Sequence, residues 1–455
     1  MKLPSLLLNI LKVIASKKGR GYLVGGCVRD DLLNIKESHD KDVEIYGLEP
    51  EELKTILSSF GQVLEVGKSF GVYKLKELPN VDFALARKES KCGSAHQDFA
   101  IELIPELSFQ EACKRRDLTI NAILYDPIEK KWIDPYHGKE DLKNKILRMV
   151  DESTFKDDPL RVLRLARFKA KLPDFKIEEK TMIQARAMVK DLPFLSKERI
   201  FNEYNQILMN AMPSAGFTFL HAIQALPPEL EILSNTFQRL DFHPEGSVFN
   251  HTMLVVDLAA LCKQKTSWPL AFMWASLLHD IGKPKVTTPE GKAPNHDLEG
   301  EPIAYEFMMN LSHQQKLAKY VSLMVRTHMT LMVACRKDHN VYPYLKVLKR
   351  LEGYVPIDDL VLLSSCDKLG RKRIDIQTIQ KFNHYIDNMK KMYGSHALKP
   401  VITGYDLIEM NIQPQDKYKE LLDDLYDRQL KGKTKEQLID YIKDLIKRGG
   451  ISGTR

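Results

Sequence analysis

Two carboxylates stand two residues apart in the run DKDVEIY, at Asp40 and Asp42, and a double glycine, Gly25-Gly26, closes the apolar run Tyr22, Leu23, Val24 before them. Strand side chains alternate faces, so Asp40 and Asp42 would project to one side and could grip a divalent cation between them. Gly25 and Gly26 carry no side chain, which lets backbone N–H groups come close to phosphate oxygens. A helix expected from about Val28 to Leu33 turns its positive end the same way, and Arg29 in its first turn adds a planar charged fork. Val43, Ile45 and Tyr46 give the carboxylate strand its apolar backing. Glycines often mark plain turns, and Asp-x-Asp is common on exposed strand ends. Together the pieces suit two-metal phosphoryl or nucleotidyl transfer.

A second constellation lies far downstream: His251, the pair His279-Asp280 in ASLLHDIGKP, His296, His328, and Asp367 in SSCDKLGR. A single histidine on a helix is more often a packed core residue than a ligand. Adjacent His and Asp at the end of an apolar helical run, followed by a glycine break, are less ordinary. Imidazole mixed with carboxylate suits a transition metal.

The elements that must position these residues can be read in outline. With 455 residues, 44% apolar and 28% charged, the chain is long enough for several cored domains and reads as soluble and intracellular. No transmembrane segment is evident, and Leu6 to Ile14, broken by Asn9 and Lys12, reads as an amphipathic helix. Six scattered cysteines (Cys27, Cys92, Cys113, Cys262, Cys335, Cys366) form no C-x-x-C pair, which points to reduced thiols in a cytoplasm. A formal net charge of +7 permits nucleic-acid binding without demanding it.

A helix from Pro50 to Phe60 and the strand-like QVLEV and GVYKLK make the first part α/β. In VDFALARKES, Asp82 shares a face with Ala84 and Ala86 and needs a partner, either a metal site or a structural salt bridge. Residues 87–98 are a polar loop. Lys114, Arg115, Arg116 and Asp117 are either a solvated face or an anion clamp. After Asp134-Pro135 helical patterns take over: FKDDPLRVLRLARFKAKL has an Asp cap and Pro159 in its first turn, with Asp158 and Arg161 three apart on one face. Arg164 and Arg167 extend a basic stripe suited to phosphates. SKERIFNEYNQIL starts at a Ser196 cap, Thr434 and Gln437 form a capping box, and the tail from Gly449 reads as frayed.

The run Gly25, Gly26, Val28, Arg29, Asp30, Asp40, Asp42 resembles the head of bacterial tRNA nucleotidyltransferases, which add CCA to tRNA 3′ ends, and of the related poly(A) polymerases. The resemblance implies two Mg²⁺ on Asp40 and Asp42, with Asp82 a third acidic residue near them and residues 87–98 a mobile loop. It makes Arg116, Asp117 and Asn121 a triphosphate clamp, Asp158 and Arg161 a protein template for the incoming base, and Arg164 a further nucleotide contact. The chain departs from the pattern in a connection one residue longer, in Asn34 where glycine is typical, and in Asp157 where glutamate is usual. His251, His279, Asp280 and Asp367 fall on the ligand positions of HD phosphohydrolase domains, which implies a metal such as Ni²⁺, Co²⁺ or Mn²⁺ and hydrolysis of phosphate esters such as 2′,3′-cyclic phosphates. His296 and His328 match extra histidines of some HD proteins, as ligands or bystanders.

The expectation is therefore an α/β head with a polymerase-β-like mixed sheet (1–140), then all-α neck (141–240, with the base-recognition helix), HD (241–395) and tail (396–455) domains. Its partners would be tRNA, CTP and ATP, with no membrane. A CC-adding or A-adding partial enzyme, a poly(A) polymerase, a phosphohydrolase with a nucleotide-binding head, and a non-catalytic RNA chaperone are the other readings.

Overall fold

The glycine-ended strand β1 (Arg20–Val24) pairs antiparallel with β2 (Lys41–Tyr46), and Val24 stands opposite Asp42. Asp40 lies one residue before β2 and not within it. The computed structural model describes residues 1–35, 40–65, 71–91, 99–241, 243–336, 340–371, 376–412 and 418–448. Residues 36–39 of the β1–β2 connection, Cys92 with the rest of 92–98, and the tail from Gly449 lie outside these.

Further strands are β3 (Val63–Glu65), β4 (Val72–Leu75), β5 (Leu78–Leu85), β6 (Arg87–Lys91), β7 (Phe99–Leu103), β8 (Leu124–Asp126) and β9 (Lys131–Ile133). Among the described residues the main sheet has seven strands in the order β3-β4-β5-β2-β1-β8-β9. It is mixed, because β2 and β5 run parallel while the other neighbours run antiparallel. Parallel register sets Asp42 beside Asp82, and side chains at paired positions share a face. The first residues expected as polar loop instead form β6, which pairs with β7.

The helix Ser5–Ser16 buries Leu7, Ile10, Leu11 and Ile14 at helical spacing, as its amphipathic pattern requires. The helix after the glycines starts at Gly26, two residues earlier than expected, and ends at Leu32. Asn34 has φ +57°, so the left-handed turn that glycine usually makes is kept. Past residue 140 helices dominate, with one exception to an all-α neck: Ile146–Leu147 and Lys176–Ile177 form a two-stranded parallel pair. The helix Leu160–Lys171 buries Leu160, Val162, Leu163, Leu165, Ala166, Phe168 and Ala170.

Contacts cluster into two units, Met1–Ile207 with Ala215–Ala225, and Leu208–Ser214 with Leu226–Arg455. The core of the second unit is helical, with Phe272, Trp274 and Tyr344 fully or almost fully buried. Its last helix, Lys435–Lys447, opens with the expected Thr434–Gln437 capping box. Cys27, Cys113 and Cys366 are buried, Cys262 and Cys335 half-buried, and all five are free thiols. Among the described residues no helix is long and apolar enough to cross a membrane.

One close approach positions much of the second unit. A Cβ on Gly282 would lie 2.1 Å from the His296 carbonyl oxygen and 2.5 Å from the Gly300 nitrogen. The turn after His279-Asp280 therefore rests directly on the backbone of the helix His296–Ser312. Gly282→Ala should cost about 1–3 kcal/mol by overpacking. Hydrogen exchange would show it as faster opening of 296–312 with the exchange of β1 and β2 unchanged; wild-type protection of 296–312 would contradict it.

Candidate functional site

The first site grows from the end of β1. Gly25 has φ +73°, and a Cβ there would come within 3.3 Å of Arg116 Nη1 and 3.5 Å of Asp42 Oδ2. Glycine thus meets both a backbone and a packing demand. Across β2 and β5, Asp42 stands beside Asp82, and Lys74 Nζ lies 2.8 Å from Asp82 Oδ1. Asp82 thus has the salt-bridge partner that a half-buried carboxylate needs, and it stands beside Asp42. The Asp42 carboxyl is raised, first by desolvation, with Asp82 and Asp40 adding their negative charges against the opposing Arg116. Like charges crowded in this way fit a divalent cation, and Asp40, Asp42 and Asp82 are hard oxygen donors of the kind Mg²⁺ takes.

Arg116 does not stand free. Its Nη2 donates to Glu44 Oε2 at 2.9 Å, and Arg115 Nη2 donates to the same oxygen at 3.0 Å. Glu44 is 2% exposed and also accepts from the Tyr46 hydroxyl at 2.9 Å. Burial would raise the Glu44 carboxyl, but the two guanidinium groups and the hydroxyl hold it below its ordinary range. Sequence reasoning passed over Glu44, although Asp40, Asp42 and Glu44 continue one alternating stripe. The signal was present in the spacing.

Several expected nucleotide contacts are already spoken for. Arg29 is 4% exposed; its guanidinium meets Asp30 at 2.7 Å, donates to Asn121 Oδ1 at 2.6 Å and lies 5.1 Å from the Phe168 ring centroid. The Arg29 side chain is therefore buried and held by two oxygen partners, with Nη2 3.6 Å from where a Cβ on Gly26 would stand. Asn121 Nδ2 donates to Asp117 Oδ1 at 2.8 Å, and Arg164 donates to Asp117 Oδ2 through Nε at 2.7 Å and Nη2 at 2.6 Å. Burial would raise the Asp117 carboxyl, yet Arg164 and Asn121 hold it well below the usual range.

Arg164 and Arg167 also reach Glu203, at 3.9 and 3.3 Å. The basic stripe is tied to the buried carboxylates of Asp117 and Glu203. Asp158 and Arg161 do not pair with each other. Asp158 accepts from Arg199 Nη2 at 2.8 Å and from the Leu160 backbone N–H at 3.1 Å, while Arg161 donates to the carbonyls of Thr154 and Arg115 at 2.7 and 2.5 Å.

The second site brings all six predicted residues of the second constellation together. His251 Nε2 is 2.9 Å from Asp367 Oδ1, His279 Nε2 is 3.2 Å from Asp280 Oδ2, and His296 Nε2 is 3.3 Å from Asp280 Oδ1. His251, His279 and His328 are almost fully buried. Their other ring nitrogens explain the orientation. His279 Nδ1 contacts the Ser276 carbonyl at 2.8 Å, His296 Nδ1 that of Ala293 at 2.8 Å, and His328 Nδ1 that of Val325 at 2.7 Å. His251 Nδ1 lies 3.0 Å from Glu245 Oε1.

A carbonyl can only accept, so Nδ1 of His279, His296 and His328 carries a proton and Nε2 of each faces the carboxylates, whereas both ring nitrogens of His251 face carboxylates, Asp367 and Glu245. His279 Nε2 is buried and makes no hydrogen bond within the protein, while Asp280 Oδ2 has Lys283 Nζ at 2.6 Å as its ion-pair partner. Facing lone pairs of this kind fit a metal, and the outer hydrogen bonds fit the usual support of metal-bound histidines. Among the described residues three groups of donors, His243-Glu245-His251, His251-His279-Asp367 and Asp280-His296-His328, each have their ligand atoms within 4.8 Å of one another.

Charge reinforces the arrangement. Burial, with His296 and His279 close by, pushes the His328 imidazole down to about 4. Burial would raise Asp280 and Asp367, but His279 with Lys283, and His251, hold them well below the ordinary carboxyl value. A cleft of about 150 Å³, lined by His243, Lys283, Arg371 and the site carboxylates, opens onto the cluster. Glu245, His243 and Lys283 were not anticipated; Lys283 could have been, since it follows Asp280 by three residues in one turn.

Residues 21–148 match the poly A polymerase head domain family, and residues 174–234 match the family described as a probable RNA and SrmB-binding site of polymerase A. The multifunctional CCA protein of Paracidovorax citrulli (strain AAC00-1) is 33% identical over 376 residues, 77% of this chain and 83% of that protein. In fold, the chain is similar to a CCA-adding enzyme in an apo form, with TM-score 0.63, 19% identity, and coverage of 97% of this chain and 96% of that one. It is also similar to the Thermotoga maritima CCA-adding enzyme complexed with tRNA, with TM-score 0.60, 20% identity, and coverage of 97% and 96%.

Glu44 generates a test independent of activity. Glu44→Gln leaves two buried guanidinium groups without their anion and should cost about 3 kcal/mol in urea unfolding at neutral pH. The folded carboxyl lies below its unfolded value, so its contribution is complete above about 4.3 and is lost as pH falls. The gap between wild type and variant should therefore narrow in unfolding curves taken below about pH 4. A gap independent of pH would remove Glu44 as the charged anchor.

Proposed function

Because the chain belongs to the family of multifunctional CCA proteins, which are tRNA nucleotidyltransferases, we propose that it adds C and A residues from CTP and ATP to the tRNA 3′ end without a nucleic-acid template. The observation that carries this is the parallel pairing that sets Asp42 beside Asp82, facing Gly25 and Arg116. Solved relatives of the same fold hold tRNA, CTP and ATP. Addition of the whole CCA, and a cytoplasmic setting, are parts of the same proposal, as is the division into head, neck, HD and tail at residues 140, 240 and 395.

In this reading Asp40 and Asp42, with Asp82 beside them, hold Mg²⁺, which neutralises charge on the phosphoryl oxygens. The bare backbone at Gly25 and Gly26 admits the triphosphate, and Arg116, aimed by Glu44, meets it over Gly25. The tRNA 3′-hydroxyl oxygen bonds to the α-phosphorus as the bond to pyrophosphate breaks. Asp117 and Asn121 act behind this surface by holding Arg164 and Arg29. Base selection falls to Asp158 and Arg161, whose Arg199 and carbonyl partners a base edge would have to replace.

Asp42→Ala should abolish nucleotide addition, a loss of at least about 10³-fold, because it removes charge stabilisation made in the transition state. Binding of tRNA lacking CCA should stay within about twofold in a filter assay. Near-normal turnover of that tRNA with labelled CTP and ATP would overturn the assignment.

A second activity is favoured by one observation, the convergence of four Nε2 atoms on Asp280 and Asp367. We read it as an HD-type phosphohydrolase centre acting on phosphate esters such as 2′,3′-cyclic phosphates. Its imidazole-rich donor set favours Ni²⁺, Co²⁺ or Mn²⁺ over Mg²⁺. Asp367→Asn should abolish hydrolysis of 2′,3′-cyclic AMP while CCA addition remains within about twofold of wild type. Absence of hydrolysis by wild type with all three metals would end this reading.

A further inference from the structure

The helix Val248–Cys262 carries His251 near its start and ends on Cys262, and the helix Ile357–Leu369 carries Cys366 and Asp367 side by side. The two helices touch through both pairs. His251 Nε2 lies 2.9 Å from Asp367 Oδ1, and Cys262 Sγ lies 3.7 Å from Cys366 Sγ. Val255, between His251 and Cys262, receives the residue just past the second helix. A Cβ on Gly370 would stand 2.6 Å from Val255 Cγ2 and 3.2 Å from the Val255 nitrogen, so a bare backbone is what lets the chain come this close.

The thiols take no part in the histidine-carboxylate cluster, and their surroundings differ. Cys366 is 5% exposed, whereas Cys262 is only half-buried. The Cys366 thiol beside it, with the charge of Lys265, holds the Cys262 thiol below its ordinary value against the cost of burial. Cys262 thus has the thiolate character and the access of a sulfur that reacts first, with Cys366 behind it to resolve the product. A disulfide sets its sulfurs about 2.05 Å apart, so roughly 1.6 Å of closing motion joins the pair.

We infer that Cys262 and Cys366 are a peroxide-responsive thiol pair whose disulfide staples the two helices that carry His251 and Asp367. The Cys262 thiolate attacks one oxygen of hydrogen peroxide, the O–O bond breaks, hydroxide leaves, and Cys262 becomes a sulfenic acid. The Cys366 sulfur then bonds to the Cys262 sulfur, and the sulfenic oxygen leaves as water with the Cys366 proton. Peroxide gains two electrons and the two sulfurs lose them. Cys262 and His251 stand eleven residues apart on one helix, about 16 Å along its axis, so a pull of Cys366 toward Cys262 draws Asp367 away from His251. Oxidation therefore opens the His251–Asp367 contact and slows the centre. That consequence, unlike the disulfide itself, rests on the phosphohydrolase reading.

The full-length protein, reduced, treated with hydrogen peroxide and desalted, tests the inference by peptide mapping without reductant. The peptide holding Cys262 should be joined to the one holding Cys366, and dithiothreitol should separate them. With Mn²⁺ or Ni²⁺ then added, hydrolysis of 2′,3′-cyclic AMP should be at least about tenfold slower in the oxidised sample, as a displaced ligand demands, and should recover on reduction. Cys262→Ser should match the reduced wild type before and after peroxide. Absence of the Cys262–Cys366 cross-link would overturn the pair. A cross-link with unchanged hydrolysis, or a loss that Cys262→Ser shares, would overturn the coupling to the centre. No hydrolysis by reduced wild type would end the phosphohydrolase reading and the coupling with it, and the disulfide would stand or fall on the peptides.

Discussion

A guanidinium withdrawn from water must have oxygen on most of its N–H groups, and the first unit is arranged around meeting that demand. Arg29 leans on Asn121, Asn121 on Asp117, Asp117 on Arg164, and Arg164 with Arg167 on Glu203. Lys171 adds a contact to Asp30 at 2.7 Å. The network reaches from the helix after the glycines to the helices Leu160–Lys171 and Lys197–Met209. Removing any one partner strands a buried charge, so the chain behaves as a unit and not as a sum of pairs. Its effect on chemistry is indirect: it fixes the wall behind the glycine turn.

The second unit solves a different problem. Each imidazole of its cluster is aimed from behind by a backbone carbonyl or by Glu245. Three of those carbonyls come from the residue three positions before the histidine, Ser276, Ala293 and Val325. Local helix-end geometry therefore sets the ring orientation before any long-range contact is made. Long-range packing, Gly282 against the His296 backbone above all, then brings the rings to one point.

Residue spacing made a large part of this legible. The glycine-ended strand, the alternating carboxylates, the capped helices and the His-Asp pair are local patterns, and each lies where its period or cap places it. Partners were not legible, because a partner is set by which strands and helices become neighbours. Nothing in KRRD says that Arg115 and Arg116 share the Glu44 carboxylate, since that depends on β2 lying between β1 and β5. Arg29 illustrates the same limit: its type suits phosphate, and only the position of Asn121 and Phe168 shows that it faces inward. His296 and His328, open as ligands or bystanders in sequence, have ring orientations set by Nδ1 partners that spacing alone does not reveal.

The parallel pairing of β2 with β5 also has a bearing on how the protein is made. A hairpin can form as soon as its turn leaves the ribosome, but these two strands meet only after β3 and β4 have been laid down between them. β8 must arrive later still to cover the other side of β1. A nascent chain that has not yet emerged as far as Leu85 lacks the β2–β5 pairing, so Asp42 and Asp82 cannot be set side by side until β5 has been synthesised.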